Sequence, residues 1–283
     1  MLETFKLNDG NEIPALGFGV FRIEPDGPTY EATLAALEAG YRHIDTAAAY
    51  FNEQDVGRAV RDSGLARNEV FVTSKLWLSD YGEEGAKRGV DRSLNKLGFD
   101  AIDLYLLHQP YGDVVGAWKT LVALREEGVL RSIGVSNMSP ALYRAFRTKT
   151  DVVPAVNQVN LNPLFQQREL RELMARDGVV AEAWGPLGQG NAELLSSPVL
   201  SRIAEMHGKD TGQVILRFEY QEGVVALPKS TNRSRIASNL DIFDFELSPV
   251  EMDEIRAMDT GKGHDPETPG LGEMLMKNYV IED

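Results

Sequence analysis

Not one cysteine occurs in the 283 residues. Disulfides, thiolate nucleophiles and cysteine-ligated zinc are therefore excluded. No stretch approaches the roughly 20 apolar residues of a membrane helix. Met1 to Asn11 carries neither a basic segment nor an apolar run, so it does not read as a signal peptide. A cytoplasmic protein with no membrane partner is the expectation. Positive charge is also scarce, with 29 Lys and Arg against 43 Asp and Glu and a net charge of −14. Such a chain repels nucleic-acid phosphates unless its basic residues cluster, so no nucleic-acid partner is expected and any basic cluster is informative. Linkers and low-complexity tracts are missing too, which argues for one domain over residues 1–283.

What is present suits an α/β barrel. Hydrophobic residues make up 43% and charged residues 25%, enough to bury a large core, and one such barrel takes about 250 residues. Thr4 to Leu7, the turn Asn8-Asp9-Gly10-Asn11 and Glu12 to Pro14 read as a hairpin. Short apolar strands follow at Leu16–Gly19, Arg42–Asp45, Val70–Thr73, Ile102–His108, Arg131–Ser136, Ala155–Val159, Val179–Trp184 and Val224–Pro228. Between them, amphipathic helices end at Gly40, Gly64, Gly98, Gly128, Gly178 and Gly208, each expected to lead into a strand. Eight regular units favour a closed (β/α)8 barrel over an open doubly wound sheet. The third glycine of a dinucleotide-binding GxGxxG is absent after Gly17-Phe18-Gly19-Val20. Gly261–Asp283, with two prolines and several glycines, is expected to cover the barrel mouth as a loop, with a partner-binding tail as the alternative.

Four residues at or after the carboxyl ends of successive strands carry chemistry: Asp45, Tyr50, Lys75 and His108. In a barrel those ends share the face where active sites lie. A phenol alone is a poor proton shuttle near neutrality. An ammonium beside it stabilises phenolate, a carboxylate keeps that ammonium charged, and an imidazole can orient a carbonyl. Singly, each has a bland reading as a cap, a core aromatic, a surface charge or a self-satisfied histidine. Together, in adjacent units, they point to function, because a buried charge is expensive unless paired. After the eighth strand, Lys229-Ser230-Thr231-Asn232-Arg233-Ser234-Arg235 places three cations within seven residues and then enters a helix at Ile236. Loops in that position of a barrel often bind phosphate.

The chain resembles the aldo-keto reductases over essentially its whole length. The resemblance is carried by Gly40-Tyr41-Arg42-His43-Ile44-Asp45-Thr46-Ala47, Thr73-Ser74-Lys75-Leu76-Trp77, Ile133-Gly134-Val135-Ser136-Asn137, Asn157-Gln158 and Pro228-Lys229-Ser230. Trp184-Gly185-Pro186-Leu187-Gly188-Gln189-Gly190 is similar to the bacterial 2,5-diketo-D-gluconate reductase branch. What this implies is NADPH-dependent reduction of aldehydes and ketones, such as 2,5-diketo-D-gluconate or other ketoaldehydes and diketones, by a monomer. Tyr50 would be the general acid, Lys75 its partner, Asp45 the counter-ion and His108 the carbonyl-orienting group. Ser136, Asn137 and Gln158 would hold the nicotinamide carboxamide, and Trp184 would stack under its ring. Lys229, Ser230, Thr231 and Arg235 would take the 2′-phosphate and Asn239 the adenine, with Thr46, Leu187 and Gln189 completing the cofactor site. Phe21 and Trp77 would join Tyr50 as the substrate wall.

Two positions depart from the family pattern. His108-Gln109-Pro110 stands where His-Trp-Pro is usual, so Gln109 should make the substrate pocket more polar. Ser238 replaces a common glutamate near the adenine. Two rival readings remain open: a Schiff-base lyase using Lys75, and a regulatory module that binds cofactor without turnover. No metal is expected.

Overall fold

In the computed structural model, residues 3–279 and Ile281 are described. The expected domain and tail also span residues 1, 2, 280, 282 and 283, which lie outside the described residues. Strands β1 (Thr4–Lys6) and β2 (Glu12–Pro14) pair antiparallel, with Phe5 opposite Ile13. The barrel follows as β3 (Phe18–Gly19), β4 (His43–Asp45), β5 (Phe71–Leu76), β6 (Ile102–Leu107), β7 (Leu130–Ser136), β8 (Val156–Asn160), β9 (Val180–Trp184) and β10 (Val225–Leu227). Each strand runs parallel to the next. The sheet closes on itself where Leu16 bridges Ala226, Gly17 N donates to Ala226 O (2.9 Å) and Gly19 N donates to Pro228 O (3.1 Å). This is the expected (β/α)8 barrel.

Alternation along the strands sorts residues between two interiors. Val72 and Leu76 of β5 and Tyr105 and Leu107 of β6 join the large core between sheet and helices. Leu104, Leu106, Val156 and Val225 belong to a separate cluster, which the hairpin residues Leu7 and Ile13 complete. The hairpin thus closes the amino-terminal end of the barrel. Nearer the carboxyl ends the buried residues of the same strands become polar: His43, Asp45, Thr73, Lys75, Gln158 and Glu182. An apolar floor therefore supports a polar upper layer.

The expected strand positions hold to within a few residues. Lys75 does not end its strand, which runs on to Leu76, and His108 lies one residue past β6. All six expected helix-closing glycines adopt positive φ, with Gly40 at 115°. One of the six does not lead into a strand. Gly208 leads into a further helix, Thr211–Gln221, rather than a strand. That helix begins with a reciprocal cap between Asp210 and Gln213. Pro140–Arg147 is a helix that the glycine pattern overlooks, because it starts on the Ser139 cap and ends at Thr148 without a glycine. The helix after the basic loop begins at Arg233, not Ile236, since the Asn232 side chain accepts from Arg235 N at 3.1 Å. The tail lies over the barrel mouth, but it is not all loop: Leu271–Asn278 is helical. Trp77 Nε1 donates to Tyr279 O (2.8 Å) and Tyr111 Oη donates to Pro266 O (2.6 Å), which ties the tail down.

Candidate active site

The parallel strands bring Asp45, Lys75 and His108 to one end of the barrel, and the short helical turn Ala48–Tyr50 after β4 swings Tyr50 over them. Lys75 Nζ donates to both carboxylate oxygens of Asp45 (2.7 and 2.8 Å) and to Thr46 O (2.9 Å). It also lies 3.4 Å from Tyr50 Oη. The lysine is wholly buried, so only this pairing makes its charge tolerable. Burial pulls its pKa down, but Asp45, with Tyr50 and Glu182, more than offsets that and the net shift is upward. The amine is held protonated with its donors engaged, the wrong state for Schiff-base attack.

Tyr50 differs from expectation in one respect. Lys75 does pull the phenol down, but burial outweighs it and the pKa is pushed up to about 12. The phenol therefore carries its proton throughout the neutral range. The His108 ring stands edge-on to Tyr50 (5.5 Å between centroids) and to Trp77 (5.0 Å). Burial and the Lys75 charge hold its pKa well below the ordinary histidine value, so it is neutral. An imidazole that cannot charge can orient a carbonyl without competing as an acid.

These groups border a cavity of about 730 Å³. Tyr50, His108, Phe21, Trp77 and Gln109 surround one part of it. Gln109 is 8% exposed, and its Oε1 is buried with no partner among the described residues. The backbone of Gln109 is gripped from both sides by Tyr81 Oη (2.7 and 3.1 Å). Trp184, Leu187, Gln189, Lys229, Ser230, Arg235 and Asn239 line the cavity as well. Lys75 stands behind the wall, and neither Thr46 nor Thr231 lines the cavity. Thr46 Oγ1 instead donates to Asn52 (2.7 Å), and Thr231 is exposed.

The polar layer under the cavity is tightly connected. Trp184 Nε1 donates to Asn137 Oδ1 (2.9 Å), and Asn137 Nδ2 donates to His108 O (3.1 Å) and Ser136 Oγ (3.2 Å). Asn137 sits at φ 58°, a left-handed conformation that asparagine tolerates better than most side chains. Its amide is thus occupied at both ends within the protein. Gln158 Nε2 donates to Asp45 Oδ2 (2.8 Å) and to Glu182 Oε2 (2.7 Å). Burial and the Asp45 charge push the Glu182 pKa up to about 8. Beneath it, His43 Nε2 lies 2.9 Å from Thr73 Oγ1 and 3.8 Å from Glu182 Oε1. Burial and Lys75 pull His43 down to about 3.

Sequence reasoning overlooked Glu182, although a lone carboxylate two residues before Trp184 in an apolar strand was the same signal that singled out Lys75. It also missed His264, Leu275 and Tyr279, which the tail brings to the cavity. His264 packs edge-on against Trp184 at 5.5 Å. Nothing local in the tail sequence marks those three.

The basic loop is less uniform than its composition. Arg233 is paired with Glu38. Lys229 and Arg235 have no carboxylate partner among the described residues, and Arg235 Nε only approaches Ser230 Oγ at 3.4 Å.

Comparison with known proteins agrees with this geometry. Residues 15–260 match the model of the aldo/keto reductase family. An aldo-keto reductase of Mycolicibacterium smegmatis is 49% identical, over 95% of this chain and 98% of its own. A glyoxal reductase of Bacillus subtilis is 45% identical, over 90% of this chain and 92% of its own. Among solved structures, a variant of Gox0644 in complex with NADPH matches at TM-score 0.89 and 39% identity, covering 95% of this chain and 98% of that one. With a closed barrel, a buried Asp–Lys–Tyr centre at its mouth and a match over most of its length, this chain belongs to the aldo/keto reductase family.

Proposed function

We propose that this chain is an NADPH-dependent reductase of small, polar aldehydes and ketones. The observation that carries the reading is one continuous cavity lined both by Tyr50 and His108 and by two cations, Lys229 and Arg235, that have no carboxylate partner among the described residues. A dinucleotide with a terminal phosphate fits that donor set. Arg forks and hydroxyls complement a phosphate dianion, and Gln158 lines the same cavity with a carbonyl oxygen that has no partner among the described residues. NADPH, when bound, supplies hydride. The chain's own residues do the rest.

Tyr50 holds the proton that the carbonyl oxygen must receive. Its high pKa keeps it loaded at neutral pH, and Lys75 behind it stabilises the phenolate left after transfer. Asp45 keeps Lys75 charged. Neutral His108 orients the carbonyl oxygen beside the phenol. Trp184 offers a flat apolar face, fixed by its bond to Asn137. Ser230, Lys229 and Arg235 hold the 2′-phosphate, and Asn239 meets the adenine, with Leu187 and Gln189 alongside. Asn137 supports Trp184 and His108 and, with Gln158 and Ser136, meets the nicotinamide carboxamide.

The relative from Bacillus subtilis is called a glyoxal reductase, and Gln109 gives this pocket a buried polar group of its own. Ketoaldehydes, diketones and keto-sugar acids are therefore the substrate classes to try, 2,5-diketo-D-gluconate among them. The test is loss of NADPH absorbance against such a panel, with cofactor affinity measured in parallel by fluorescence. Turnover of at least one class is expected. NADPH binding without any turnover would favour a regulatory cofactor-binding role, and no binding would sink both readings.

A further inference from the structure

Glu182 does not line the cavity and is a fully buried carboxyl that the proposed chemistry does not use. Its Oε2 accepts from Gln158 Nε2 at 2.7 Å, and the same nitrogen donates to Asp45 Oδ2 at 2.8 Å. Two carboxyl groups thus converge on one end of a single amide. An amide has two hydrogens on nitrogen and none on oxygen. Only the NH2 end can satisfy two acceptors at once, and turning the amide over would set its oxygen against the Asp45 carboxylate. Asp45 is itself pinned by Lys75 through both oxygens, so it cannot swing away. Gln158 Oε1 is left facing the cavity that the residue lines, without a partner among the described residues. Asn137 Oδ1 already receives Trp184 Nε1, which leaves it one lone pair, whereas both lone pairs of Gln158 Oε1 are open.

We infer that Glu182 is a positioning residue: together with Asp45 it takes both amide hydrogens of Gln158 and so presents Gln158 Oε1 as the fixed acceptor for a carboxamide N–H. This rests on the reading that the cavity binds NADPH. Glu182 touches neither substrate nor cofactor in this scheme, and acts only through Gln158. An acceptor is all that Gln158 asks of it. Glutamine at this position keeps one, whereas methionine has similar length and only a weak sulfur acceptor. Glu182→Met leaves one Gln158 hydrogen with only that weak acceptor, so its folding is checked before its binding is read.

The readout is the preference for NADPH over its acetylpyridine analogue, in which a methyl group replaces the amide nitrogen and cannot donate. Both dissociation constants are measured by fluorescence titration of the whole chain, with adenosine 2′,5′-bisphosphate as a control that lacks the nicotinamide. The native protein should prefer NADPH by about fivefold, the worth of one neutral hydrogen bond. Glu182→Met should bring that preference below about twofold while its affinity for the bisphosphate stays unchanged. Glu182→Gln should keep the native preference. A folded Glu182→Met with full preference overturns the inference, and so does loss of preference in Glu182→Gln, which decides the matter even where the methionine variant does not fold. Failure of the native protein to bind NADPH at all would instead overturn the cofactor reading. NADPH binding without preference over the analogue would overturn the inference alone.

Discussion

Arg233 donates to Glu38 at 2.9 Å, while Arg235, two residues later on the same helix, has no carboxylate partner among the described residues and lines the cavity. The pair is exposed on both sides, and such pairs contribute little. Arg233→Ala should therefore leave NADPH affinity within about twofold of native. Arg235→Ala should weaken it by about ten- to a hundredfold, the loss of a charge-assisted contact, and hardly change NADH affinity. Fluorescence titration with both cofactors checks this. Equal losses for NADPH and NADH would remove Arg235 from the 2′-phosphate.

Tyr50→Phe removes only a hydroxyl that lies 3.4 Å from Lys75 Nζ. The fold and NADPH affinity should survive, and kcat should fall by about 10²–10⁴. Lys75→Met should lower kcat similarly, since the phenolate left by proton transfer loses its cation. Near-native turnover by Tyr50→Phe, with cofactor affinity intact, would mean that another group gives the proton.

Gln109 carries a buried oxygen with no hydrogen-bond partner among the described residues. A substrate hydroxyl can donate to it, and Gln109→Leu should cost polyhydroxylated keto-sugar acids about two- to tenfold in kcat/KM. Small apolar aldehydes should change little. A common factor of loss for both classes would show that the side chain acts on the fold and not on the substrate.

The Glu182 carboxyl, with its pKa pushed up to about 8, holds a proton in the folded chain that the unfolded chain has released above its ordinary pKa near 4.3. Folded protein therefore binds more protons across that window. The resulting stabilisation is fully present below the unfolded pKa and is lost as pH rises through about 8. The slope is at most about 1.4 kcal/mol per pH unit. Glu182→Gln does not titrate, so its stability relative to native should increase with pH between about 5 and 8. Denaturant unfolding at several pH values measures the difference. A constant gap would mean that Glu182 is ionised throughout.

The cluster of Asp45, Lys75 and Tyr50 was legible because charge is anomalous at the end of an apolar strand. Lys75 and Asp45 stand out for that reason, and the barrel geometry then brings them together. The glycine pattern located helices that finish on a left-handed residue, and it overlooked Pro140–Arg147, which finishes on Thr148 in ordinary helical geometry. Composition could not separate Arg233 from Arg235, since the carboxylate that occupies one of them lies 195 residues away in the chain. Leu275 and Tyr279 were invisible for a similar reason: their place at the cavity follows from long-range anchoring at Trp77, and not from any local period.

The polar upper layer of the barrel has a consequence for engineering. Asp45, Lys75, Gln158, Glu182 and His43 fill the space where apolar side chains could otherwise interlock. Cohesion is then drawn mainly from the shell between strands and helices and from the hairpin-capped floor. Substitutions chosen for heat tolerance belong in those outer and lower zones. A more apolar upper layer would raise the melting temperature of a barrel that no longer reduces anything.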